Sequence, residues 1–215
     1  MTARTRSRVV QGVLAIAAVA AIAVAAFALL TPPAVPADLP VDMAGRPVVP
    51  DVVPTPASGD TSTPSGIGQF QVPSTGLDVP LGVMDVVSGT IDPPGFTSAY
   101  WIRSMGVSPA NAADGTVYVA MHSLRNGGIG PGNYLIDVER GRSSLAVGDV
   151  IEAAGASYRV TGARDVLKSD LGADADLWSD KPGRLVVITC LQRPEGGPST
   201  HNVVIEATLV PSPTT

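Results

Sequence analysis

The chain holds a single cysteine, Cys190, and two histidines, His122 and His201. A thiolate is a strong nucleophile, but a free thiol with a pKa of about 8.5 is mostly protonated at neutral pH. It becomes a catalyst when an imidazole takes its proton and a cation steadies the developing charge. Cys190 ends the apolar run Leu185-Val186-Val187-Ile188-Thr189 and leads into Leu191-Gln192-Arg193-Pro194. His122 directly follows a second apolar run, Thr116 to Met121, and precedes the glycine-rich stretch Asn126 to Gly132. A strand end opening into such a loop suits an exposed functional group. Arg193 lies three residues past the thiol. It could supply the cation, or donate paired hydrogen bonds to a carbonyl or oxyanion. Each residue also has a plainer reading. A lone thiol is commonly a small buried hydrophobe. A half-buried histidine can be satisfied by backbone, and a loop arginine can simply be solvated.

Other chemistries find little footing. A net charge of -5 argues against nucleic-acid binding, which needs a basic face. No second cysteine or histidine has metal-ligand spacing, so neither a metal nor another cofactor is expected. The glycine-rich stretch lacks the Gly-Lys-Ser/Thr ending of a phosphate cradle. With one cysteine there is no intramolecular disulfide, and the fold must rest on its hydrophobic core.

The elements that must position these residues are short strands. Phe70-Gln71-Val72 and Leu77-Asp78-Val79 flank a turn at Pro73-Ser74. Thr116 to Met121 is a near-continuous apolar run, as expected of a buried strand. Tyr134 to Val138 reads as another, and Val150 to Ala153 with Ser157 to Val160 as a hairpin around Gly155. Leu185 to Thr189 and Val203 to Val210 complete seven or eight strands, the pattern of a sandwich or barrel. Ser98 to Met105 and Asp165 to Trp178 could each hold a helical turn or two.

The N-terminus sets the compartment. Arg4, Arg6 and Arg8 precede 22 residues, Val9 to Leu30, interrupted only by Gln11 and Gly12. At about 1.5 Å per residue this run can cross a hydrocarbon core of about 30 Å. The flanking arginines place the N-terminus inside and the rest outside. A cleaved signal peptide is the competing reading, although its apolar region would be shorter, about 7–15 residues. From Thr31 to Gly68 prolines recur (Pro32, Pro33, Pro36, Pro40, Pro47, Pro50, Pro54, Pro56, Pro64), the composition of a semi-rigid polyproline spacer. The expected organisation is a basic tail at 1–8, an anchor at 9–30, a linker at 31–68 and a catalytic domain at 69–215.

The ordered set of features resembles the sortases, membrane-anchored cysteine transpeptidases of Gram-positive bacteria. Their Thr-Leu-x-Thr-Cys motif is matched at Thr and Cys by Val186-Val187-Ile188-Thr189-Cys190. The order of anchor, spacer, His122, Cys190 and a final Asn202-Val203-Val204 strand is similar, as is Leu145-x-x-Gly148-Asp149-x-Ile151 before a hairpin ending in Tyr158-Arg159-Val160. The opening Val72-Pro73-Ser74-x-Gly76-Leu77-Asp78-Val79-Pro80-Leu81 is similar to class F members of actinobacteria.

The resemblance implies an all-β fold, a closed eight-stranded barrel with one or two short helices. It implies that Cys190 attacks the Thr–Gly bond of an LPXTG-type signal on a secreted protein and forms a thioester. An amine of a lipid II-like cell-wall precursor, or a pilin lysine, would then release the product. His122 would shuttle the proton. The segment Ala163 to Lys181 would shape the signal groove, with Thr189, Val166, Leu167, Leu171 and Trp178 against the substrate. The family's arginine usually stands just before the residues matched by Asn202-Val203-Val204, where this chain has Thr200-His201. Arg193 is therefore the expected cation, with Arg125, Arg184 or a contribution from His201 as substitutes. A non-catalytic exported β-domain and a cysteine hydrolase are the rival readings.

Overall fold

A computed structural model describes residues 39–48 and 66–211. The expected anchor at 9–30 and most of the proline-rich stretch lie outside these residues. Among the described residues no helix is long and apolar enough to cross a membrane.

The apolar runs form β1 (Gln69–Val72), β2 (Leu77–Met84), β3 (Ala99–Ile102), β4 (Thr116–Ala120), β5 (Ile136–Asp137), β6 (Arg142–Ser143), β7 (Val150–Ala153), β8 (Ala156–Leu167), β9 (Arg184–Leu191) and β10 (His201–Leu209). One helical turn, α1 (Lys168–Leu171), follows β8, and 3-10 turns span Pro109–Asp114 and Pro131–Leu135. Eight strands close a barrel in the order β1-β2-β3-β4-β9-β10-β8-β7, while β5 and β6 form a separate ribbon. The barrel closes where Phe70 and Gln71 of β1 pair with Ala153 and Glu152 of β7. Two neighbouring pairs, β2–β3 and β4–β9, are parallel.

Parallel strands need long crossovers, and covering both their faces makes them read as continuous apolar runs. β4 is buried at every position, and β9 at every position except Cys190. Val117, Val119, Leu185 and Val187 face the barrel interior with Phe70, Tyr158 and Val203. Tyr118, Ala120, Val186 and Ile188 face outward, beneath Leu177 and against Trp178. Arg184 fixes this covering loop. It is buried and donates to the carbonyls of Asp176 and Leu177 at 3.0 Å each, to the Ser179 carbonyl, and to the Tyr118 hydroxyl at 3.3 Å.

Three local expectations are revised. Ser98 to Met105 does not hold a helical turn: its Ala99-Tyr100-Trp101-Ile102 core is β3, because aromatic and β-branched side chains here sandwich between the two apolar layers. Tyr134 to Val138 is a strand only at Ile136–Asp137. Pro131 opens a 3-10 turn that runs through Leu135. Of Asp165 to Trp178, only Lys168–Leu171 is helical, since β8 extends to Leu167.

Tyr158 is fully buried inside the barrel, and its hydroxyl has no hydrogen-bond partner among the described residues. Burial pushes its pKa up to about 12. Replacing it with phenylalanine keeps the ring and removes an orphaned polar group. Urea unfolding of Tyr158→Phe is expected to show a gain on the order of 1 kcal/mol. A loss of similar size would mean that the hydroxyl is paired.

Candidate active site

The parallel ladder brings the cysteine and the first histidine together. β4 and β9 pair from Thr116↔Arg184 to Ala120↔Ile188, a constant offset of 68 residues (188 minus 120). Carried two residues further, the same offset sets His122 level with Cys190, and Met121 N still donates to Ile188 O at 3.2 Å. Adjacent strands lie about 4.8 Å apart. Side chains alternate between faces, so His122 follows Tyr118 and Ala120 outward and Cys190 follows Val186 and Ile188 outward. Both line one groove of about 1060 Å³.

Side-chain hydrogen bonds take over where the ladder ends. Ser123 donates from Oγ to the Cys190 carbonyl at 2.5 Å. Gln192 Nε2 donates to both the carbonyl and Oγ of Ser123, each at 2.9 Å. Ser123 and Gln192 are buried. The residue after the histidine is thus tied to the cysteine and to the residue two beyond it. On the other side, Gly132 N donates to the His122 carbonyl at 2.8 Å. A Cβ on Gly132 would stand 1.9 Å from Thr189 Oγ1 and 2.9 Å from that carbonyl, so only glycine fits. Asn133 closes the same loop. Its Oδ1 accepts from Leu124 N and Gly130 N, and its Nδ2 donates to Leu124 O.

His122 sits under Phe96, with ring centroids 4.7 Å apart. Its Nε2 lies 2.8 Å from the Pro93 carbonyl and 3.6 Å from Asp92 Oδ1. A carbonyl only accepts, so this contact assigns the hydrogen to Nε2 and leaves the Nδ1 lone pair able to take a proton. Burial pushes the His122 pKa below its usual value, and the charge of Lys168 adds to that. The Pro93 carbonyl and Asp92 oppose the shift without cancelling it. The imidazole is therefore neutral at pH 7.

The remaining expected residues are placed differently from one another. Thr189 lines the groove, but its buried hydroxyl has no partner among the described residues. Leu171 and Trp178 line the groove, and Trp178 Nε1 donates to Leu171 O at 2.7 Å. Val166 packs on the outer apolar cluster, and Leu167 is exposed outside the groove lining. Arg193 stands on the exposed turn after β9 and pairs with Glu195, away from the groove lining. Arg184 lies at the opposite end of β9 from Cys190 and is committed to the covering loop. His201 Nδ1 lies 3.0 Å from Thr200 Oγ1. The cationic side chains that do line the groove are Arg46, Arg125 and Lys168.

Arg46 belongs to a piece of the expected linker. Residues 39–48 fold back on the glycine-rich loop around Asp42, a buried carboxylate. Asp42 accepts from the backbone of Ala44, Arg46 and Ile129 and from Arg46 Nε. Burial alone would raise its pKa, but these hydrogen bonds hold it at about 2. Met43 N donates to Ile129 O at 2.8 Å, and Arg46 Nη2 donates to Gly127 O. The proline content gives no hint of this contact; its only sequence trace is Asp42 four residues before Arg46.

The neutral state of His122 has a thermodynamic signature. Its pKa is lower in the folded than in the unfolded chain, so below about pH 6.5 the unfolded chain binds more protons. Stability from this group is complete above that pH and falls as pH drops through the folded pKa. Melting temperatures from pH 7.5 to 5 should decline for the native sequence and decline less for His122→Gln. Parallel profiles would contradict the buried neutral imidazole.

Neither a family sequence model nor the sequence of a curated protein matches the chain. Among solved structures the fold is similar to sortase A of Listeria monocytogenes, at 22% identity and a TM-score of 0.45, over 67% of this chain and 87% of that one. It is also similar to a lid mutant of sortase A from Corynebacterium diphtheriae (15% identity, TM-score 0.49, 73% of this chain and 75% of that one). Sortase C-1 of Actinomyces oris is a third, at 16% identity and a TM-score of 0.47, over 70% of this chain and 76% of that one.

Proposed function

We propose that the chain is a sortase-type cysteine transpeptidase, of the class F kind suggested by its opening motif. The observation that carries this reading is the placement of His122 and Cys190 at level ends of parallel neighbouring strands, facing one groove. The only residue of β9 not fully buried is Cys190, as an attacking group requires. The neutral imidazole beside it has Nδ1 able to accept its proton.

The reaction follows from these groups. Cys190 gives its proton to His122 and its sulfur attacks the Thr–Gly carbonyl carbon of an LPXTG-type signal. The C–S bond forms and the carbonyl π pair moves to oxygen. Collapse restores the carbonyl, breaks the C–N bond and sends the His122 proton to the leaving amine, giving a thioester. An incoming amine, from a lipid II-like precursor or a pilin lysine, attacks the thioester, loses a proton to His122 and expels the thiolate. Thr189, Leu171 and Trp178 on the groove wall suit an apolar extended peptide. Residues 9–30 would anchor the enzyme in the plasma membrane, with residues 31–68 carrying the domain outside.

The test is to incubate the full chain with an LPXTG-type peptide and an amine acceptor and follow products by mass. A thioester adduct on Cys190 and an amine-linked product are expected. Cys190→Ala should abolish both, and His122→Ala should slow turnover by about 10³-fold. Full turnover by either variant would refute the mechanism. Free acid alone in the presence of amine would make the enzyme a hydrolase.

A further inference from the structure

Attack on a carbonyl creates an oxyanion, and fixed hydrogen-bond donors at that oxygen are commonly the largest single contribution to acyl-transfer catalysis. Arg193, the donor expected from spacing, is paired with Glu195 outside the groove lining. Another polar group lines the groove with Cys190.

β10 runs antiparallel to β9, and its register sets Asn202 directly opposite Cys190. Residues opposed in this way project to the same face with Cβ atoms about 4.5–5.5 Å apart. Alternation along β10 agrees: Val203 and Ile205 face the barrel interior, and Val204 faces outward. Asn202 lines the same groove as Cys190 and is only 8% exposed. Its next neighbour across β8 is Val166, an apolar residue. Among the described residues the Asn202 amide has no hydrogen-bond partner. Its two N–H donors are not among the buried atoms left without a partner, so they are open to the groove and to an oxygen bound there. The nearby amide of Gln192, by contrast, is fully engaged with Ser123.

We propose that the Asn202 side-chain amide donates to the oxyanion formed when Cys190 attacks an acyl carbonyl. This rests on the reading of Cys190 as a nucleophile, not on the identity of the peptide. As the C–S bond forms, the carbonyl electron pair moves onto oxygen, and an Asn202 N–H hydrogen-bonds it. When the pair returns and the leaving group departs with its proton from His122, Asn202 keeps its own hydrogens.

Two reactions at the same sulfur isolate this role. Alkylation by iodoacetamide attacks a saturated carbon and forms no oxyanion, whereas acylation by p-nitrophenyl acetate passes through one. Both are followed on the full chain by intact mass at Cys190, for the native sequence, Asn202→Ala and the uncharged, near-isosteric Asn202→Leu. Acylation should slow by about 10²-fold or more in both variants, with alkylation within about two-fold of native. Equal slowing of both reactions would place Asn202 on the thiol instead, and unchanged acylation would remove it from catalysis; either overturns the proposal. Failure of native Cys190 to react with either reagent would overturn it as well. A native protein acylated by the ester but not by an LPXTG-type peptide would reject the substrate reading and leave the Asn202 result standing.

Discussion

The parallel register between β4 and β9 is the constraint on which the site depends. In it Thr116, Tyr118, Ala120 and His122 share a face with Arg184, Val186, Ile188 and Cys190. A slip of one residue would turn either set toward the barrel interior. The register is enforced by what lies on each side. Val117, Val119, Leu185 and Val187 fill the barrel, while Tyr118, Val186 and Ile188 lie under the loop that Arg184 pins by its carbonyls. Both apolar layers would have to come apart before His122 and Cys190 could lose their alignment.

The polar groups around the site extend this arrangement past the end of the ladder. Ser123 and Gln192 hold the two chain ends together after strand pairing stops. Gly130 and Gly132 allow the following loop to press on the His122 backbone, and Asn133 fixes its shape. The loop in turn seats residues 39–48 through Asp42 and Ile129. What looks like an open glycine-rich loop is a buttress, and its flexibility in sequence is answered by specific hydrogen bonds in the fold.

Much of this was legible in the residue pattern. Runs buried on both faces announced β4 and β9, and the thiol and imidazole at the ends of those runs line one groove, the candidate site. Both signals are local. The missing parts are those set by pairing between distant segments. β3 is short and flanked by turn residues, and its strand character comes from packing against β2 and β4. Arg193 is near Cys190 in sequence, but the turn after β9 carries it away. Asn202 is twelve residues from the thiol and directly across from it. Asp42 is hidden among prolines, and its partner Ile129 lies 87 residues away.

The alignment of His122 with Cys190 can be measured without any substrate. Residues level on adjacent strands fall within the Cα separation of about 4.4–6.8 Å that a disulfide spans. His122→Cys, folded and mildly oxidised, should lose both titratable thiols and recover them on reduction. Two free thiols in the folded, oxidised protein would contradict the register on which the site is built.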